Sequence, residues 1–288
     1  MPIPTPFHER TSELCTSWAW KEWAGFLAVR SFDTCHEREY HALRQAAGLI
    51  DVSPLHKYEV RGPDAGALLT QVTVRDVRKL RVGRVTYLCW CDDDGKVVDD
   101  GTVTRLGERH FRVTSNLPSL AWLERYASCY DATVSDSSES LAALAIQGPR
   151  SREIVTRLAG PQIEGLRFFR ATPARIGDIE VVVSRTGYTG DLGYELWIDR
   201  DRALDAWDAV IAAGRPYRLE PAGLDAMDVT RVEAGFILNG VDYFSAPECL
   251  IDSRKSTPDE IGLGWTVELD RAPFVGQASL VRERRQGA

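Results

Sequence analysis

Arg185-Thr-Gly-Tyr-Thr-Gly-Asp-Leu-Gly-Tyr-Glu195 sets three glycines, Gly187, Gly190 and Gly193, at a spacing of three. The stretch interrupts a strand-like run, with Ile179 to Ser184 before it and Tyr194 to Ile198 after it. Glycine adopts positive φ freely and lets a backbone press against a flat ligand. Tyr188 and Tyr194 add aromatic surface. Glu195 adds a carboxylate at the start of the return strand, where paired hydrogen bonds to an amino-pyrimidine edge are feasible. A hairpin closed by a glycine-rich turn is the plainer reading of these residues alone.

Composition narrows the field. The 288 residues include 44% hydrophobic and 27% charged side chains, an ordinary globular balance, and the length allows one large domain or two. A formal charge of −7 argues against a nucleic-acid footprint, which needs a basic face. No apolar run reaches membrane-spanning length. The N-terminal Met1-Pro-Ile-Pro-Thr-Pro6 lacks the basic and apolar regions of a signal peptide, so the expected location is cytoplasmic. Six cysteines are too sparse for a disulfide scaffold. Cys89 and Cys91 stand two apart without a second close pair, which predicts reduced, packed thiols and no metal.

The pattern along the chain mixes strands and helices without a low-complexity linker, and predicts an α+β protein. His36 to Leu49 reads as a helix. Tyr58 to Arg61, Gly62-Pro63-Asp64 and Ala65 to Leu69 form a strand-turn-helix unit. A similar unit recurs at Ala143 to Ile146, Gly148-Pro149-Arg150 and Ser151 to Leu158. It is open whether this marks an internal duplication or merely a common way to start a helix. Further helices are predicted over 119–127, 201–213 and 222–234.

A second cluster lies in Tyr87-Leu-Cys-Trp-Cys-Asp-Asp-Asp-Gly-Lys-Val-Val-Asp-Asp100, with five aspartates in nine residues. Asp92 to Asp94 before Gly95 predict a solvated hairpin turn. Asp99 and Asp100 follow a strand-like Val97-Val98. Neighbouring strand residues face opposite ways, so one of the two is expected to point inward. An inward carboxylate has a raised pKa and suits proton transfer. An edge-strand charge pair is the alternative.

Several segments together resemble the folate-binding family of the glycine-cleavage T-protein. They are Asp51-Val-Ser53, Val60-Arg-Gly-Pro-Asp-Ala65, Gly95 to Asp100, Tyr188 to Glu195 and Arg231-Val-Glu-Ala-Gly235, in the family's order. Leu263-Gly-Trp-Thr-Val267 and Phe274-Val-Gly-Gln-Ala278 extend the likeness over nearly the whole chain. The resemblance implies a multi-lobed α+β folate-binding fold whose C-terminal β-barrel is largely missing. It divides the chain into a first lobe of residues 1–52 plus 139–250, a second of 53–138, and the start of a truncated segment over 251–288. It also implies a tetrahydrofolate-dependent one-carbon transferase, with tetrahydrofolate as cofactor. The expected reaction moves a methyl or aminomethyl group from a small N-, O- or S-methylated donor to N5. The alternatives are a T-protein acting on a lipoyl-carried aminomethyl group, with a lipoyl carrier protein as partner, and a non-catalytic folate-binding scaffold.

Carried over by position, the resemblance makes Asp100 the catalytic carboxylate near N5 and Glu195 the residue that holds the pterin. Tyr188 packs on the ring, and Tyr87, thirteen residues before Asp100, completes the N5 end. Asn116, Leu55 and Phe236 line the pocket edge. The chain departs from the T-protein pattern at Pro54-Leu-His56, Lys96, Gly101 and the loop Gly190-Asp-Leu-Gly193. At Met227 the family has a folate-contacting arginine. These departures resemble the demethylase and dimethylglycine/sarcosine-type branches.

Overall fold

A computed structural model describes residues 1–286. The chain divides into two compact units, Met1–Leu55 with Ser138–Phe236, and His56–Ser137 with the segment from Ile237 onward.

The first unit begins with β1 (Ile3–Pro4), α1 (His8–Leu14), β2 (Ala19–Trp23), β3 (Phe26–Ser31), α2 (Glu37–Gln45) and β4 (Ala47–Asp51). The second then contributes β5 (His56–Arg61), α3 (Ala65–Val72), β6 (Val85–Cys91), β7 (Val97–Gly107), β8 (His110–Ser115), α4 (Leu120–Ala127) and β9 (Thr133–Asp136). The chain returns to the first unit with β10 (Leu141–Gln147), α5 (Ser151–Ala159), β11 (Ala171–Ile176), β12 (Ile179–Ser184), β13 (Gly193–Asp199), α6 (Ala203–Gly214), β14 (Leu219–Pro221) and α7 (Leu224–Glu233). Among the described residues α8 (Gln277–Gln286) is the last element.

The first unit is organised by a six-stranded sheet in the order β11-β12-β13-β10-β4-β14, beside a three-stranded sheet β1-β3-β2. Side chains alternate across the large sheet. On one face Tyr194, Leu196 and Ile198 of β13 join Leu144 and Ile146 of β10 under Trp207 and Val210 of α6 and Ile154 and Val155 of α5. On the other face Trp197 joins Ala143, Ala145 and Ile50 under Leu43 of α2 and Ala226 of α7. Glu195 sits between Tyr194 and Leu196 and so belongs to this second face.

The predicted helix His36–Leu49 stops early: α2 ends at Gln45 and β4 begins at Ala47. Tertiary pairing overrides the local apolar pattern. Gly48 and Leu49 are taken by β10, opposite Gln147 and Ile146, and on the other side by β14.

The second unit has a five-stranded sheet in the order β6-β7-β8-β5-β9. Its core joins Leu68 and Leu69 of α3 to Leu88, Trp90, Val103, Phe111 and Val113, with Tyr243, Phe274 and Leu280 from the later segment. The aspartate turn joins β6 to β7 as expected: Asp92 accepts N–H bonds from Asp94 and Lys96, and Gly95 has φ +79°. Among the described residues all three sheets are open, and no closed barrel is formed.

Gly101 in β7 is required by close strand approach. A Cβ there would lie 1.9 Å from the carbonyl oxygen of Thr114 in β8, a backbone atom that cannot swing away. Gly101→Ala is expected to lower stability by about 1–3 kcal/mol, the usual range for overpacking. Urea unfolding of the variant checks this; an unchanged midpoint would mean that β8 relaxes without cost.

Candidate functional site

The Asp99–Asp100 pair is placed by an irregularity in β7. Cys91 pairs with Val97 while Trp90 pairs with Asp99, so Val98 bulges out of the ladder. On the opposite side β8 begins pairing only at Gly101, opposite Ser115. Residues 97–100 therefore lack a strand neighbour there, and other groups take its place. The loop after β8 is pinned by Ser115 Oγ to the Leu117 carbonyl, 2.8 Å, and by the Ser119 N–H to the Tyr58 hydroxyl, 2.8 Å. It presents the Leu117 N–H to Asp99 Oδ2 at 2.9 Å. Asn239 donates from Nδ2 to Asp99 Oδ1 at 2.8 Å and to the Val98 carbonyl at 3.4 Å.

Asp99 is fully buried, whereas Asp100 keeps part of its surface. Asp100 accepts hydrogen bonds from the Tyr87 hydroxyl at 2.7 Å and the Tyr243 hydroxyl at 2.5 Å. The same Tyr243 hydroxyl lies 3.4 Å from Asp99 Oδ1. Burial, then the neighbouring charge of Asp100, pushes Asp99 up to about 7. Burial also raises Asp100, against the two tyrosine hydrogen bonds that lower it. One member is fully enclosed, but it is Asp99 rather than Asp100, the carboxylate singled out for the site, and both are drawn into one hydrogen-bond network. Tyr87 also approaches the ring of Trp265, 6.2 Å between centroids, which is 64% exposed. Asn116 lies half-buried in the pinned loop, next to Leu117.

In the first unit, Glu195 opposes Ser184 across β13 and β12 and Ala145 across β13 and β10. Thr186 donates its hydroxyl to Glu195 Oε2 at 2.6 Å, and Ser184 does so at 3.4 Å. Trp197 Nε1 holds Ser184 Oγ at 3.1 Å, so an indole, two hydroxyls and the carboxylate form one chain. Oε1 has no hydrogen-bond partner among the described residues. Burial raises the Glu195 pKa, opposed by Thr186 and Ser184. Tyr188 stacks on Phe236 with centroids 5.6 Å apart and planes 22° apart; Phe236 is 38% exposed. Arg231 fixes the base of this pair by donating to the Phe236 carbonyl at 3.0 Å. Leu55 and Met227 both pack, half-buried, against the cluster that contains Trp197.

The three glycines serve packing within the protein. A Cβ at Gly187 or Gly193 would fall 1.9 or 2.0 Å from Gln147 Oε1. Gln147 is buried at the end of β10. Its amide donates to the carbonyls of Thr186 and Tyr194, at 3.2 and 3.4 Å, and accepts from the Thr189 hydroxyl at 3.1 Å. Gly190, at φ +78°, makes room for Ala234. The glycine loop is therefore wrapped around one glutamine amide. The sequence signal for Gln147 was its place at the end of an apolar strand, just before Gly148-Pro149. Tyr243 and Asn239 had no local signal at all.

Cys89 and Cys91 are buried free thiols, and the neighbouring Cys89 thiol, then burial, raises the Cys91 pKa. No group of three His, Cys, Asp or Glu among the described residues is arranged to hold a metal. No helix among them is long and apolar enough to cross a membrane.

Residues 6–271 match the GCVT N-terminal domain. The chain belongs to that family. It is 37% identical to the trimethylamine-oxide aldolase of Ruegeria pomeroyi over 99% of its own length, but spans only 36% of that protein. It is 37% identical to the aminomethyltransferase of Halothermothrix orenii, covering 86% of this chain and 68% of the relative. An aminomethyltransferase of Caldanaerobacter subterraneus is 34% identical over 92% of this chain and 70% of its own. The crystal structure of the glycine cleavage system aminomethyltransferase T from Bartonella henselae superposes with a TM-score of 0.87 at 24% identity. That match covers 99% of this chain and 76% of the other, and shows the T-protein fold.

Proposed function

We propose that the chain is a tetrahydrofolate-dependent one-carbon transferase of the aminomethyltransferase kind. The observation that carries this reading is Asp100. It is a half-buried carboxylate held by two tyrosine hydroxyls, with no Lys, Arg or His paired to it among the described residues. Such a group serves as proton acceptor or as a fixed negative charge beside a developing cation.

Glu195 fits a pterin. Its Oε2 is tied down by Thr186 and Ser184, while Oε1 is left over to accept an N–H from an amino-pyrimidine edge. Tyr188 and Phe236 offer a stacked, partly exposed aromatic pair for a flat ring. Tyr87 orients Asp100. Asn116 and Leu55 are proposed as pocket-edge residues. Bound tetrahydrofolate would supply N5 as acceptor of the one-carbon unit.

The names of the aminomethyltransferase relatives favour an aminomethyl group as the unit transferred, and the T-protein resemblance adds a lipoyl arm as its bearer, with the carrier protein as partner. A cytoplasmic setting suits the free thiols. A second reading, a small N-methylated donor, is supported by the trimethylamine-oxide aldolase relative, whose likeness runs over 99% of this chain.

The two are separated by supplying tetrahydrofolate with either an aminomethyl-loaded lipoyl carrier or a panel of methylated amines. Formation of a one-carbon folate only with the carrier is the expected result. Product only from the amines selects the second reading. No product from either, with no folate binding by calorimetry, overturns the transferase assignment.

A further inference from the structure

We infer that Asp99 and Asp100 work as one unit that shares a single proton through Tyr243, with Asp99 as its keeper and Asp100 as the member that stays ionised. The inference deepens the transferase reading and rests on it for its mechanistic meaning.

The argument is a count of hydrogens. Asp99 Oδ2 receives the Leu117 N–H and Oδ1 receives Asn239. Asp100 Oδ2 receives the Tyr87 hydroxyl and Oδ1 the Tyr243 hydroxyl. A phenol has one proton to donate and lone pairs to accept with. Tyr243 spends that proton on Asp100, at 2.5 Å. Its 3.4 Å approach to Asp99 Oδ1 then sets two lone-pair-bearing oxygens face to face. The contact becomes attractive only when Asp99 carries a proton and donates it to the Tyr243 oxygen. The resulting chain runs from Asp99 O–H to Tyr243 O–H to Asp100 carboxylate.

The surroundings agree. The groups facing the pair are Tyr87, Cys89 and Trp90 of β6, the Leu117 amide after β8, and Asn239 and Tyr243 after α7. None is a cation, and neither carboxylate has an ion-pair partner among the described residues. Two adjacent buried carboxylates without a cation cannot both ionise cheaply. Burial separates their roles: Asp99 has no exposed surface, whereas Asp100 retains some. The member left ionised is therefore the one that a reactant can reach.

In the reaction the pair starts at a charge of −1. When Asp100 takes a proton from the reacting nitrogen, an O–H bond forms on Asp100 and the N–H electron pair stays on nitrogen. The pair becomes neutral, and Asp99 keeps its proton throughout. Asp99 is a positioning residue: it spares Asp100 a second negative charge and fixes Tyr243 as a donor.

Infrared difference spectroscopy of the ligand-free protein tests this directly. The spectra are taken in a Glu195→Gln background, which removes another carboxyl whose pKa burial raises; this background serves as wild type for the infrared comparison. At about pH 6, above the ordinary carboxylate range, it should show a carboxylic-acid C=O band that titrates away at higher pH. The band should vanish in Asp99→Asn and shift in Tyr243→Phe, which removes the hydroxyl between the two carboxylates. With tetrahydrofolate and donor present, Asp99→Asn should also displace the alkaline limb of the turnover profile upward by about one pH unit or more. Absence of the band in wild type, or its survival in Asp99→Asn, overturns the proposal. If Asp99→Asn does not fold, the Tyr243→Phe shift decides, and an unshifted band counts against it. The failures are distinguishable: a band without turnover refutes the transferase reading alone, and turnover without the band refutes the shared proton alone.

Discussion

Asp100→Asn is expected to reduce turnover by about 10²- to 10⁴-fold, the usual contribution of a placed acid–base group. The variant preserves the shape of the side chain and an acceptor for one of the two tyrosine hydroxyls. It removes the negative charge and the capacity to take up a proton. Because burial disfavours the charged Asp100, its neutral replacement relieves an unfavourable term and the fold should be retained. Steady-state kinetics with circular dichroism check both halves. A loss in kcat with little change in KM marks an interaction made in the transition state. Wild-type turnover in Asp100→Asn would remove this carboxylate from the mechanism, and an inactive Asp99→Ala beside an active Asp100→Ala would reverse the roles assigned to the pair.

Glu195→Gln should weaken tetrahydrofolate binding at least tenfold. Hydrogen bonds to a charged group contribute about 1.5–3 kcal/mol, and about 1.4 kcal/mol is a factor of ten. Stability should move the other way. The folded-state pKa of Glu195 lies above its ordinary value. Its ionisation therefore costs the fold nothing below the ordinary carboxylate range, and a growing amount as pH rises through the raised value. A neutral amide escapes that cost, so Glu195→Gln should be at least as stable as wild type at neutral pH. Calorimetric titration with tetrahydrofolate and thermal unfolding measure the two sides. Unchanged affinity would show that the free Oε1 is not a ligand contact.

What could be read from the chain followed from how local each interaction is. The Tyr87–Asp100 pair came from the family resemblance, and the structure supplies its local reason: Tyr87 pairs with Thr102 in the β6–β7 ladder, so Asp100 lies on the adjacent diagonal. The turn at Asp92–Gly95 was legible from its residues alone, because aspartates before a glycine suit a tight hairpin. The bulge at Val98 was not, and it is what draws Asp99 inward together with Asp100. Tyr243 and Asn239 approach from 143 and 140 residues away, a distance no spacing rule reaches. The C-terminal end of α2 was misjudged because apolar residues 46–50 suit a helix face as well as a sheet, and only the partners β10 and β14 choose between them.

The glutamine at the heart of the glycine loop makes two kinds of residue unequal under mutation. Gly187 and Gly193 answer to Gln147, so exchanging either for a larger residue disturbs the hairpin whether or not a ligand ever binds. Glu195 answers to no packing requirement of that sort, and Glu195→Gln, which keeps an acceptor for Thr186 and Ser184, is expected to leave the hairpin intact. A lineage drifting away from folate could therefore shed the carboxylate in one step and keep every glycine. The glycine spacing is held by the architecture, and under the proposed function Glu195 is the residue that answers to the ligand instead.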